Sequence, residues 1–298
     1  MNYYNEIKNE LINNEINKRV KDYSKNRSDL QTYYNIGKLL SEAGKHYGEG
    51  IIKKYSIKLV NEFGRKYNET TLKRMRQFYW KVEKGATVWH QLSWSHYKLL
   101  ISLETIEEIN YYSKVAVDRL SSVRKLESII KSNEYERLSQ ETKDKLINKE
   151  ELKVDDLVKN PIVINNPNNM EVIHEKVLQK LILEDISSFL VELGSGFSFI
   201  KNEYKIKIGD VYNYIDLLLF NYQYNCFVVV ELKVTELKKD HIGQIEVYMN
   251  YIDNNLRQVT QDKTIGIIIV KKDNKYIMEY CSDKRILSKE YKITTSIL

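Results

Sequence analysis

Three charged residues in the second half of the chain combine side-chain types and spacings that could do chemistry together. Asp216 stands in the apolar run YIDLLLF, where a carboxylate costs free energy unless its charge is compensated. Glu231 and Lys233 lie in FVVVELKV with one residue between them, and alternate side chains of a β-strand project from the same face. The pattern therefore predicts that two carboxylates and an ammonium group converge between neighbouring strands.

The chemistry that such a set supports is metal-assisted hydrolysis of a phosphodiester. Carboxylates bind Mg²⁺ or Mn²⁺, and the ion polarises a phosphate and lowers the pKa of a bound water. An ammonium group can orient or deprotonate the attacking water, or offset charge on the pentavalent phosphate. The alternative is a strand-end ion pair. The tripeptide E-x-K is not specific by itself, since it also begins at Glu6, Glu141, Glu151, Glu203, Glu236 and Glu290.

Consecutive strands flanked by two helices are predicted around these residues. The strand segments are FSFI, YKIKI, YNYIDLLLF and CFVVVELKV, separated by short polar turns, and they favour an antiparallel meander. One helix, from Glu171 to Leu193, precedes them, and another, containing HIGQIEVYMNYI, follows them. The strand TIGIIIV and a last strand near YIMEY complete the predicted α/β arrangement.

The first half of the chain shows a different periodicity. From Tyr3 to about Ile147, apolar residues recur at intervals of three and four without any proline, which predicts several short helices. The following segment, EELKVDDLVKNPIVINNPNN, contains both prolines and several asparagines, the composition of a connector. We therefore predict a helical domain at 1–150, a connector at 151–169 and a catalytic α/β domain at 170–298, giving an α+β protein overall.

The positive charge of the chain is concentrated in the helical half. The formal net charge is +6, and residues 1–150 hold 28 lysines and arginines against 20 acidic residues. Such an imbalance favours a polyanionic partner such as nucleic acid, although lysines on solvated helix faces are the alternative. One segment, RKYNETTLKRMRQFYW, predicts a helix capped by Asn68 or Thr70 that is similar to a helix-turn-helix recognition element. Its basic residues Lys73, Arg74 and Arg76 are candidate DNA contacts, and an ordinary amphipathic surface helix is the alternative.

Long motifs in both halves resemble one known family. The runs GSGFSFI, YIDLLLF, FVVVELKVTELKKDHIGQIEVYMNYID and TIGIIIVKKDNKYIMEY are similar, in this order, to the YhcG-type family of the PD-(D/E)XK nuclease superfamily. The runs YGEGIIKKYSIKLVNEFG, LKRMRQFYW and LSWSHYKLL resemble that family's helical N-terminal domain. The resemblance covers nearly the whole chain. It implies a Mg²⁺-dependent DNA endonuclease with a restriction-endonuclease-like C-terminal domain.

The resemblance also assigns roles to individual residues. Asp216 and Glu231 match the metal-binding acids of the superfamily, and Lys233 matches its catalytic lysine. Gln244 and Tyr248 match a Q-x-x-x-Y element, and their spacing places both on one helix face, where Gln244 could reach the site or DNA. The alternative is that this face packs on the sheet, and Tyr248 is also a candidate nucleic-acid contact.

This chain departs from the superfamily pattern at two places. Ile215 stands where the superfamily's name has proline, at a position that the superfamily keeps loosely. Many related nucleases place an acid in the first helix of the domain, and here Glu175, Glu184 and Glu192 are all candidates, while Gln179 is a candidate for the family's preferred position. The third metal ligand therefore stays open at the level of sequence.

Two other functions are compatible with the same sequence. The nuclease fold could serve as a catalytically silent module that binds DNA or partner proteins, since fold does not dictate function. RNA could be the substrate, because the 23 tyrosines include residues that could stack on unpaired bases. The family's association with restriction systems and mobile elements suggests partners in defence or DNA processing. A homodimer is a further hypothesis, since cutting both strands needs two sites.

The sequence predicts a cytoplasmic protein that does not cross a membrane. No apolar run reaches the roughly 18 residues that span a bilayer, and the first residues do not form a signal peptide. Cys226 and Cys281 lie far apart in sequence and suggest neither a disulfide framework nor a zinc site.

Overall fold

Two compact units make up the protein, and they divide between Tyr135 and Glu136. The computed structural model describes residues 2–20 and 25–295. The first unit is helical and the second combines helices with a six-stranded sheet, so the predicted fold class is confirmed. The division lies earlier than the predicted limit at residue 150. The helix Gln140–Asn148 belongs to the second unit, because its Lys145 pairs with Asp156 at 2.9 Å. The limits 1–150 and 170–298 stay a prediction about separable domains.

The helical unit consists of seven α-helices in its described residues. None of the helices in the described part of the whole chain combines the length and the apolarity that crossing a bilayer requires. The helices are α1 (Tyr3–Val20), α2 (Lys25–Tyr47), α3 (Gly50–Phe63), α4 (Glu69–Glu83), α5 (Trp94–Leu100), α6 (Ile106–Asp118) and α7 (Val123–Lys131).

Side-chain caps explain where several of these helices begin. The Asn68 side chain accepts a hydrogen bond from the Thr71 N–H, as one of the two predicted caps requires. The Thr105 hydroxyl accepts from the Glu108 N–H, and the Glu108 carboxylate accepts from the Thr105 N–H in return. Each such bond satisfies a backbone donor that the first helical turn leaves unpaired. Local chemistry therefore sets the starts of α4 and α6.

Helices α2 and α4 cross at Gly37. A Cβ atom built on Gly37 would lie 2.2 Å from the Met75 carbonyl oxygen and 2.8 Å from Tyr79 Cβ. The first of these atoms belongs to the backbone of α4 and cannot rotate away. The close approach of the two helices therefore depends on the missing side chain.

We expect Gly37→Ala to destabilise the helical unit by about 2 kcal/mol. The reason is that overpacking at a helix crossing destabilises the fold by more than the better helix propensity of alanine stabilises it. Denaturation by urea, followed by circular dichroism, measures the change. Gly50→Ala is the matched control, since nothing lies within 4 Å of a Cβ at Gly50. An unchanged or higher stability of Gly37→Ala would contradict the predicted clash.

The second unit surrounds a mixed sheet with helices. The helices are α8 (Gln140–Asn148), α9 (Val154–Leu157), α10 (Glu175–Glu184), α11 (Ile186–Leu193), α12 (Lys239–Asn255) and α13 (Lys275–Glu279). The strands are β1 (Ile162–Asn165), β2 (Phe197–Ile208), β3 (Val211–Asn221), β4 (Cys226–Glu236), β5 (Asp262–Lys272) and β6 (Ile286–Thr294). The strands lie in the sheet in the order β1-β6-β5-β4-β3-β2. Strands β2, β3 and β4 form an antiparallel meander, and β4, β5, β6 and β1 run parallel.

Apolar side chains cover both faces of this sheet. On one face, Leu217 and Val230 pack with α10 and α11 residues such as Leu178 and Phe189. On the other face, Leu218 and α12 residues such as Ile245 form a second buried cluster. The central strands are therefore buried on both sides, as continuous apolar runs predict.

Four element predictions need correction. The single helix predicted from Glu171 to Leu193 is two helices, because the Asp185 side chain caps a new helix by accepting from the Ser188 N–H. FSFI and YKIKI form one strand with an irregularity between Phe199 and Lys201. The predicted strand YIMEY is mostly the helix α13, and the predicted connector contains β1, which pairs with the last strand.

Candidate active site

The candidate site lies where β3 and β4 stop pairing. The ladder between the two strands ends at Leu217 and Val230, so that Asp216 and Glu231 are the next residues on either side. Beyond this point the carboxylates accept the backbone N–H groups: Glu231 Oε1 lies 3.4 Å from the Asp216 nitrogen, and Asp216 Oδ2 lies 2.8 Å from the Leu232 nitrogen. The two side chains are thus held at the point where the strands separate.

Lys233 completes the predicted set. Its Nζ atom lies 3.2 Å from Glu231 Oε2, and only 12% of the lysine side chain and 2% of the glutamate side chain are exposed. The structure therefore brings together all three residues that the spacing singled out. The pair is also the strand-end ion pair of the alternative interpretation, so the geometry is common to both.

The buried charges of this cluster destabilise the folded protein when no further cation is bound. Burial, and then the neighbouring charge of Asp216, raise the pKa of Glu231 to about 7. Burial also raises the pKa of Asp216, although the Leu232 N–H and Lys233 act against that rise. Burial lowers the pKa of Lys233, but Glu231 and Glu175 more than offset this effect, and the net shift is upward. Lys233 is therefore held as an ammonium ion.

The donor set fits a hard divalent cation. Two buried carboxylates repel each other with a single ammonium group in direct contact, and a bound cation would compensate the remaining charge. Among residues 2–20 and 25–295, no cluster of three or more His, Cys, Asp or Glu side chains is arranged to hold a metal ion. Mg²⁺ usually takes only one or two protein carboxylates and keeps several waters. Asp216 and Glu231 are the residues that could hold it.

The charge of one of the three candidate acids affects this site. Glu175, the first residue of α10, raises the pKa of both Asp216 and Lys233 through its charge. Glu192 is buried in a bidentate pair with Arg137 and accepts the Val163 N–H at 3.1 Å. Glu184 is exposed beside Lys180, 3.7 Å away. Glu175 is therefore the candidate that the structure favours.

Gln179 touches the same strand residue from α10. Its Nε2 atom donates to the carbonyl oxygen of Asp216 over 3.2 Å. The bond joins the helix to the backbone of Asp216 and helps to position this carboxylate. Gln179 thus lies beside the site without offering a charge to a metal ion.

Sequence reasoning missed Glu203 in β2. Its neighbours Asn202 and Tyr204 pair with Leu217 and Ile215, which places Glu203 opposite Asp216, and its φ of 46° is in the left-handed region. The charge of Glu203 raises the pKa of Asp216. The available signal was its own E-x-K tripeptide, which the sequence does not distinguish from the other copies.

Gln244 and Tyr248 lie on one face of α12, as their spacing predicts. Gln244 Nε2 donates to the Tyr248 hydroxyl oxygen over 3.0 Å. Tyr248 is 5% exposed and belongs to the apolar cluster under the sheet. This burial favours a packing role for Tyr248 over the predicted contact with nucleic acid.

The basic residues of α4 have different surroundings. Lys73 pairs with Glu69 at 2.7 Å within the helix, and Arg74 is exposed. Arg76 is nearly buried, pairs with Glu49 at 2.7 Å and lies over the Trp80 ring at 4.6 Å. Lys73 and Arg74 are thus more accessible to a partner than Arg76.

Comparison with known families agrees with this architecture. Residues 155–297 match the family model described as the YhcG PDDEXK nuclease domain, and residues 8–137 match the DUF1016 N-terminal domain. The chain thus contains a DUF1016 N-terminal domain followed by a YhcG PDDEXK nuclease domain. The curated protein named "Putative nuclease YhcG", from Escherichia coli (strain K12), is 23% identical to it over 309 residues, which cover 88% of this chain and 82% of that protein.

Solved structures are similar to smaller parts of this chain. A repair endonuclease from Pyrococcus abyssi is 17% identical, with 41% of this chain and 48% of that chain covered and a TM-score of 0.29. EndoMS in complex with double-stranded DNA is 19% identical, with 44% and 49% covered and a TM-score of 0.29. This chain spans about half the length of each of these proteins.

Proposed function

We propose that this protein is a divalent-metal-dependent endonuclease that hydrolyses phosphodiester bonds in DNA. The observation that carries the proposal is the buried set of Asp216, Glu231 and Lys233 at the point where two strands separate. The nuclease domain family that matches residues 155–297 supports the same reaction class.

Each residue of the set has a distinct proposed role. Asp216 and Glu231 would hold Mg²⁺ or Mn²⁺, which supplies Lewis-acid polarisation of the scissile phosphate. The ammonium group of Lys233 would offset the negative charge that grows on the phosphate during attack. Glu175 would add a further carboxylate at the N-terminus of α10, and Gln179 would keep the backbone of Asp216 in place. We also propose that Gln244, which donates to the Tyr248 hydroxyl oxygen on α12, takes part in the reaction by reaching the site or DNA.

A catalytically silent binding module is the second candidate function. A module that only binds has no need for two buried carboxylates with raised pKa values, because such groups destabilise the fold. The strained charge distribution at Asp216 and Glu231 therefore favours catalysis.

The helical unit would supply further contacts to DNA or to a partner protein. Lys73 and Arg74 are the exposed basic residues of α4 that would meet phosphates. We also propose that the protein acts in defence against foreign DNA, with partners from restriction systems or mobile elements. It would act as a homodimer in the cytoplasm.

The decisive experiment is cleavage of labelled substrates by the full-length chain. Duplex DNA, single-stranded DNA, branched DNA and RNA are each incubated with Mg²⁺, with Mn²⁺ and with EDTA. We expect metal-dependent cutting of DNA, because the acidic pair requires a cation before it can meet a phosphate. Cutting of RNA alone would show that the substrate is RNA and not DNA. Salt-sensitive binding without cutting of any substrate would support the binding module instead.

A further inference from the structure

The hairpin formed by β2 and β3 has one apolar face and one basic, aromatic face. Its register pairs Lys205 with Tyr214 and Lys207 with Tyr212, so these four side chains project from the same face. The opposite face carries Ile206 and other residues of the cluster that packs on α12. The hairpin is therefore anchored on one side only.

The basic, aromatic face is open to solvent. Tyr212 and Tyr214 are 54% and 52% exposed, and Lys205 Nζ lies 3.7 Å from the centroid of the Tyr212 ring. β2 is an edge strand, and edge lysines commonly prevent strand-to-strand aggregation. That explanation covers the lysines but not two exposed tyrosines on the neighbouring strand. The exposure of the two tyrosine rings to solvent therefore has to be explained in another way.

The position of this face connects it to the candidate site. Tyr214 lies two residues before Asp216 on β3, a separation of about 7 Å along a strand. Lys205 lies two residues after Glu203, which faces Asp216 across the hairpin. A polymer that lies along Tyr212 and Tyr214 would therefore continue towards the acidic pair.

The chemistry of the face fits unpaired nucleotides. Tyrosine rings bind nucleic acid by stacking on bases, and the bases of an intact duplex already stack on each other. Lys205 and Lys207 can meet the phosphates of the same segment; the exposed contact of Lys207 with Asp210 at 3.8 Å is too weak to prevent this. The charge and the rings thus favour a single-stranded stretch over a continuous duplex.

We propose that the exposed face of the β2–β3 hairpin binds unpaired nucleotides of the substrate next to the position that is cut. The inference rests on the proposed nuclease function and names the structural feature of the substrate that this nuclease prefers. The preferred substrate is nucleic acid in which a single-stranded segment adjoins the scissile bond.

Binding in EDTA tests the proposal separately from catalysis. Fluorescence anisotropy compares a labelled DNA duplex, the same duplex with a gap of about four unpaired nucleotides, and the matching RNA strand. We expect tighter binding to the gapped DNA, and we expect Tyr212→Ala with Tyr214→Ala to weaken that binding about tenfold or more. Substitution of the same residues by Phe should retain most of the affinity, since the ring remains.

The lysines and a control variant give independent readouts. Lys205→Gln with Lys207→Gln should make the negative slope of log K against log salt shallower by about 0.7 for each lost phosphate contact. Tyr222→Ala removes a ring that is even more exposed, at 64%, beyond the other end of β3, and this variant should bind like the wild type.

Three outcomes would overturn the proposal. These are equal affinity of the wild type for intact and gapped duplex, unchanged binding after loss of both rings, or a change of oligomeric state instead of affinity. Failure of the proposed nuclease function is distinguishable, because it would abolish cutting while leaving these binding differences measurable. Tighter binding to the RNA strand, with the same dependence on Tyr212 and Tyr214, would support the exposed face of the hairpin as a binding site for unpaired nucleotides and would identify these nucleotides as RNA.

Discussion

Lys233→Met is expected to lower the rate of phosphodiester cleavage by about 10²- to 10⁴-fold, the range for loss of a charged group that acts in the transition state. Methionine retains an unbranched side chain as long as the aliphatic part of lysine and removes the ammonium group that lies 3.2 Å from Glu231. Arginine should not restore the rate, since its planar guanidinium cannot replace a compact ammonium ion. Single-turnover cleavage at saturating Mg²⁺ measures the chemical step.

A surface lysine of the same unit provides the control for this loss. Lys180 on α10 is 67% exposed and pairs weakly with Glu184, so Lys180→Met should cut at the wild-type rate. Circular dichroism shows whether the Lys233 variant remains folded. A folded Lys233→Met protein that cuts as fast as the wild type would remove this residue from the mechanism.

Asp216→Asn is expected to abolish cleavage and, at the same time, to stabilise the metal-free protein by about 1–2 kcal/mol at pH 8. The substitution removes a buried charge that raises the pKa of Glu231. The asparagine oxygen can still accept the Leu232 N–H, and the contact of Lys233 with Glu231 stays intact. Urea denaturation in EDTA measures the free energy of unfolding of both proteins.

The pH dependence of this stabilisation follows from the direction of the shifts. The pKa values of Asp216 and Glu231 are raised in the folded state, to about 7 for Glu231, so the folded protein binds protons more tightly than the unfolded chain. Stability of the wild type therefore falls as pH rises from the unfolded pKa near 4 through the folded value. The advantage of Asp216→Asn should be large at pH 8 and small at pH 4.5.

Metal and a second variant complete this test. Added Mg²⁺ or Mn²⁺ should raise the unfolding free energy of the wild type and leave Asp216→Asn almost unchanged, because the cation binds the native acidic pair. Asp210→Asn, at a fully exposed carboxylate in the β2–β3 turn, should change stability little at either pH. A metal-free Asp216→Asn protein less stable than the wild type would show that the pair is not strained.

The elements next to the site could be predicted because their pattern is local. β3 and β4 are apolar runs long enough to be buried on both faces, and the helical spacing of α12 follows them directly. The element predictions that were wrong have local or long-range causes that the periodicity of apolar residues does not show. Asp185 interrupts an apolar helical pattern with a cap, and β1 exists only because it pairs with β6, more than a hundred residues later.

The sequence by itself determined the central triad of Asp216, Glu231 and Lys233, because strand alternation and one short hairpin connect these residues. Only the tertiary structure decided which acid of the preceding helices lies close enough for its charge to affect them. Arg137 binds Glu192 from 55 residues away and removes it from consideration, whereas the start of α10 places the charge of Glu175 near Asp216. Such choices depend on packing between distant segments, which side-chain types and spacing along the chain do not encode.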